Sequence, residues 1–149
     1  MFAYPIETNL NDYQGSLEAI VFEGPPSFAP TNVIRSDQDW GIRVSWEVHG
    51  PLAGWLDAEF RITIFLEKYG TGSDVDLAPA VIPTLSVLYD PATQSRTYSH
   101  DVNISAGVIP NGVYKIATCL QLYELGSGNP VPIAAVVEGE TVHLFDPAP

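Results

Sequence analysis

Cysteine is almost missing from this sequence. Its 149 residues include one, Cys119, so no disulfide can form within the chain. The fold must therefore hold itself by burial, and a chain this long can remove about two-thirds of its unfolded surface from water in a single domain. Basic residues are scarce too. Arg35, Arg43, Arg61, Lys68, Arg96 and Lys115 are scattered among eighteen acidic residues, for a net charge of −12. Without a concentrated basic patch there is nothing to neutralise phosphates, so neither nucleic acid nor an anionic lipid surface is an expected partner. The surplus of acid favours basic proteins, cations or neutral ligands.

Long apolar runs are also lacking. The longest, residues 116–125 and 131–137, fall far short of the roughly 20 residues a membrane-spanning helix needs. The start, MFAYPIETNLNDYQG, has neither the basic opening nor the continuous apolar stretch of a secretory signal, and a cytoplasmic location is expected from it. A convincing helical period is nowhere to be found. Thirteen prolines and twelve glycines interrupt the chain instead, collected in breaks such as Gly24-Pro25-Pro26, Gly70-Thr71-Gly72 and Gly126-Ser127-Gly128-Asn129-Pro130.

What the sequence has in quantity is period two. Ile42, Val44, Trp46 and Val48 alternate with polar residues, and Phe60, Ile62, Ile64 and Leu66 alternate with Arg61, Thr63, Phe65 and Glu67, which is the pattern of extended strands with one buried face. Further strands are expected at 17–23, 81–89, 96–104, 112–123, 131–137 and 141–145, with a short one at 32–35. About seven or eight strands with no helix predict an all-β chain, an antiparallel two-sheet β-sandwich. Residues 1–16 read as an N-terminal arm and 17–149 as the sandwich domain.

Two places carry a resemblance. Trp46 sits in the middle of an early, strictly alternating strand, and Pro110-Asn111-Gly112-Val113-Tyr114 leads into a long apolar strand. Together they resemble immunoglobulin-like and fibronectin-type sandwiches, which place a large aromatic against the facing sheet and open the penultimate strand with a tyrosine tied back to nearby backbone. The resemblance implies the immunoglobulin-like architecture. It implies no activity, and the paired cysteines of antibody domains are absent.

Candidate chemistry is thin. His49, His100 and His143 lie on three separate segments without close ligand spacing, and no metal site or cofactor is expected from them. Asp37 with Asp39, and Asp74 with Asp76, are loop carboxylates with the oxygen-rich spacing that calcium can use, although neither pair fits a twelve-residue calcium loop. No Gly-x-Ser-x-Gly elbow or phosphate loop occurs, and no pattern selects a carboxylate pair for hydrolysis. Cys119, inside an apolar run, reads as a buried thiol.

Surface chemistry is the remaining clue. Residues 131–137 are apolar on both faces, and 112–123 nearly so, which suggests an outer sheet face covered by the arm or by another chain. The leading expectation is thus a non-catalytic protein-binding or assembly module, self-associating or docking on a larger complex. Val131, Ile133, Ala135 and Val137 are its expected contacts, with Trp40 and Trp55 at the rim. The alternatives are a carbohydrate-binding module using Trp40, Trp55 and loop tyrosines such as Tyr69, and a small hydrolase with paired carboxylates.

Overall fold

A computed structural model describes residues 4–8, 12–24 and 29–147. Eleven strands follow one another: β1 (Tyr4–Pro5), β2 (Glu7–Thr8), β3 (Gln14–Glu23), β4 (Val33–Arg35), β5 (Trp40–His49), β6 (Ala58–Lys68), β7 (Val75–Asp76), β8 (Ala80–Pro83), β9 (Ser95–Ile104), β10 (Gly112–Glu124) and β11 (Pro130–Phe145). Two short 3-10 turns, Pro51–Gly54 and Thr84–Ser86, are the only helical elements among the described residues. The smaller sheet has the order β1-β3-β5-β9. The larger runs β2-β11-β10-β6-β7, with β4 added beside β11 and β8 beside β6. Every pairing is antiparallel except that of β4 with β11. The chain is thus an all-β, two-sheet sandwich.

Alternation puts the core where period two predicts it. Ile42, Val44, Trp46 and Val48 of β5 face Phe60, Ile62, Ile64 and Leu66 of β6, and all eight are buried. β5 and β6 lie in different sheets, so the Pro51–Gly54 turn carries the chain from one layer to the other. Trp46 stacks on its cross-strand neighbour Tyr98, with centroids 5.1 Å apart, and Phe60 from the opposite sheet meets both rings edge-on at 5.6 and 5.2 Å. Such pairs add about 0.5–1.5 kcal/mol each beyond the area they bury. At the start of β10, the Tyr114 hydroxyl donates to the Pro110 carbonyl at 2.7 Å, closing the turn that the sequence places there.

Several boundaries differ from expectation. Residues 131–137 and 141–145 are one strand, β11, with a bulge between them. Between the Ile116–Glu140 and Thr118–Val137 pairs, one residue of β10 stands opposite two of β11. One extra residue reverses which side chains point inward, so the buried set changes from Ile133, Ala135 and Val137 to Val142 and Leu144. The segment 81–89 is a strand only to Pro83. The buried Thr84 hydroxyl then donates to Leu56 O at 2.7 Å and accepts from Ala58 N at 2.9 Å, pulling the chain into a 3-10 turn. β1, β2 and β7, two residues each, are too short to show a period. β1 pairs with β3 and β2 with β11, so the N-terminal segment contributes one short strand to each sheet.

The expected contact face of β11 is turned the other way. Ile133, Ala135 and Val137 are core residues at 1, 4 and 5 % exposure, and Val131 is half-buried against the core. Trp40 opens β5 and is 3 % exposed, so it is not at a rim. Sequence alternation shows which residues of β11 share a face, but its apolar character on both sides conceals which face is inward.

Candidate functional site

The side chains that do face outward on the larger sheet come from the odd positions of β10 and their cross-strand partners. Across the middle of the sheet, Phe65 of β6 stands beside Ala117, and Thr63, Cys119 and Val136 form the next row. Below them come Val81, Arg61, Gln121 and Ala134. Phe65 is 37 % exposed, Val136 50 % and Val81 52 %. These residues are outward because their neighbours Ile64, Thr118, Leu120 and Ala135 are inward, and a strand offers only two sides.

Both basic residues of this face have acidic neighbours. Arg61 binds Glu59 at 3.0 Å and lies 3.9 Å from the centre of the Tyr123 ring. Lys115 Nζ is 4.0 Å from both Glu67 and Glu138 carboxylates. Exposed pairs of this kind contribute little to stability. Glu7 beside Ala134 and Asp76 beside Phe65 add two exposed acids, so the face keeps an acidic balance around its apolar centre.

Cys119 belongs to this face and not to the core, since period two sets it opposite to the buried Thr118 and Leu120. Partial burial, with Glu138 nearby, pushes its thiol upward. That is opposite to what a nucleophilic thiolate requires. Its cross-strand partners are Thr63 and Val136.

The remaining candidates are dispersed. Trp40 is the first residue of β5 and Trp55 lies beyond its last, and the ten residues of the strand span about 30 Å, so the two rings form no common stacking platform. Trp55 is 71 % exposed, and Tyr69, 56 % exposed, lies beyond the end of β6. Asp37 is paired with Arg35 at 2.7 Å, Asp39 accepts from Ala106 N at 2.9 Å, Asp74 accepts from Lys68 N at 3.0 Å, and Asp76 is in β7. Three of the four thus hold loop structure by local bonds. No group of three or more histidine, cysteine or acidic side chains able to hold a metal occurs among the described residues. His49 ends β5, His100 lies in β9 and His143 is on the outer side of β11.

Two carboxylates have clearly shifted ionisation. Asp101 is lowered by its bidentate bond with Arg43, at 2.7 and 2.8 Å, and Asp146 by hydrogen bonds from Asn111 and Ser36. Both shifts favour the charged form, whereas a general acid needs the reverse. A groove of about 370 Å³ lies beside Asp101, lined also by Asp39, Trp40 and Asn103. No helix among the described residues is long and apolar enough to cross a membrane.

Comparison with known proteins finds no matching family model, no matching curated protein and no matching solved structure.

Proposed function

We propose that the chain is an immunoglobulin-like sandwich of the fibronectin-type arrangement, acting as a non-catalytic assembly module that self-associates through the outer face of its larger sheet. For the architecture, the support is strand order. With β7 and β8 counted as one position, the first, second and fifth strands after the N-terminal segment and β4 (β3, β5 and β9) form one sheet, and the third, fourth, sixth and seventh form the other. The Tyr114–Pro110 bond at the start of the sixth of these strands supports the same reading, as does the aromatic cluster that Trp46 builds between the sheets.

One observation carries the functional reading. Phe65, Ala117, Cys119 and Val136 make a continuous outward-facing apolar strip across three adjacent strands. The three long strands β11, β10 and β6 make the face roughly 40 Å long and roughly 10 Å wide, with β2, β7 and β8 widening it locally.

Light scattering across a concentration series tests it. The expected result is a dimer that Phe65→Glu or Val136→Glu converts to a folded monomer. Wild-type protein that stays monomeric at every concentration overturns the reading.

A further inference from the structure

The two most exposed large apolar side chains among the described residues are Leu88, at 94 %, and Trp55, at 71 %. They sit at one end of the sandwich, Trp55 on the loop after β5 and Leu88 on the loop after β8, where Leu85 (47 %) precedes Leu88 by three residues. Side chains this exposed usually belong to loose loops, but these loops are fastened from below. Arg96, 7 % exposed in β9, donates to the carbonyls of Ala53 at 2.7 Å, Gly54 at 3.1 Å and Val87 at 2.5 Å. The Tyr89 ring lies so close to Gly54 that a Cβ there would stand 3.1 Å from it, and Arg96 is 5.4 Å from the centre of the same ring. Thr84, bonded to Leu56 and Ala58, joins the base of one loop to the end of the other.

Trp55 follows Gly54 and Leu88 follows Val87, so each stands one residue from a carbonyl held by a single guanidinium. Both loops are ordered before anything binds, which removes much of the entropic cost of docking. Tryptophan is also among the residue types that dominate interface energies.

The surrounding charge selects the occupant. Segments 50–57 and 84–94 contain Asp57 and Asp90 and neither lysine nor arginine, and the charge of Arg96 is turned inward. Lipid-inserting segments set cations beside their apolar tips to meet headgroups, and none is present here. A second copy would set Asp57 and Asp90 against their own kind. We propose that Trp55, Leu85 and Leu88 form a preorganised docking point for a different protein, one whose apolar surface is bordered by lysine or arginine. This end of the molecule is separate from the sheet face of the self-association reading.

The test follows acrylamide quenching of the full-length protein, in which Trp40 and Trp46 are buried and Trp55 supplies the accessible emission. Three synthetic peptides serve as probes: an amphipathic helix of leucine and lysine, one of leucine and glutamate, and a serine–lysine peptide of equal charge without leucine. The leucine–lysine peptide is expected to reduce quenching about twofold or more, and the other two to leave it unchanged. The effect should vanish in Leu88→Asp and persist in Phe65→Glu, so failure of the sheet-face reading leaves this outcome untouched. Equal protection by either control peptide, protection by phosphatidylcholine vesicles or by raised protein concentration alone, persistence in Leu88→Asp, or no protection by any probe overturns the proposal.

Discussion

Tyr13 and Tyr98 bury their phenols within electrostatic reach of each other and of Arg96, but their hydroxyls are treated differently. Tyr98 donates to the Thr84 carbonyl at 2.5 Å, whereas the buried Tyr13 hydroxyl has no hydrogen-bond partner among the described residues. Tyr98→Phe is expected to destabilise by about 1–2 kcal/mol, because it strands a buried carbonyl. Tyr13→Phe removes an unsatisfied group and should be neutral or stabilising by up to about 1 kcal/mol. Urea denaturation midpoints measure both. Burial also raises both phenols above the ordinary 10.0, Tyr98 to about 12 and Tyr13 further. Since the folded state favours the protonated forms, their stabilisation is complete below pH 10 and lost as pH rises through 12. Phenolate absorbance should therefore show these two of the seven tyrosines ionising only as the protein unfolds.

Replacing Arg96 should cost more than replacing either tyrosine. Arg96→Met leaves the Ala53, Gly54 and Val87 carbonyls without their donor and is expected to destabilise by about 3 kcal/mol. Arg96→Lys should recover little of this, since a single ammonium cannot reproduce the planar fork. Thermal denaturation gives the loss, and faster amide exchange in segments 50–57 and 84–90 would place it.

Gly41 is fixed by a close approach. A Cβ there would lie 2.5 Å from Phe22 Cζ and 2.6 Å from the Val102 carbonyl oxygen. Gly41→Ala should therefore destabilise by about 1–3 kcal/mol despite the higher strand propensity of alanine. A denaturation midpoint equal to wild type would contradict the packing of Phe22 across β5.

Acid should act on the outer side of the smaller sheet. The Arg43–Asp101 pair holds Asp101 below the ordinary 3.8, so its contribution is present above that pH and lost as pH falls through the lowered folded value. Asp101→Asn should be less stable than wild type at neutral pH, and the difference should shrink below pH 3.8. Parallel stability curves from pH 7 to pH 2 would contradict this.

The sandwich was legible because Ile42–Val48 alternate without interruption and Phe60–Leu66 do so apart from Phe65, and alternation reports burial directly. The Tyr114 turn was legible because Pro-Asn-Gly fixes local backbone before any packing occurs. The face of β11 was not, since both its sides are apolar and its bulge depends on a partner strand distant in sequence. Nor was the Trp55 and Leu88 pair, which sequence separates by more than thirty residues and a single arginine unites. A lone Arg inside an otherwise alternating segment, at Arg96, was the available signal for it.

A guanidinium bonded to peptide carbonyls has no titrating counterpart. Carbonyls do not take up protons in the range where carboxylates do, so acidification that releases Arg43 from Asp101 leaves the grip of Arg96 on its three acceptors intact. The two ends of β9 therefore differ in their sensitivity to acid: one rung responds to a falling pH, and the anchorage beneath Trp55 and Leu88 does not.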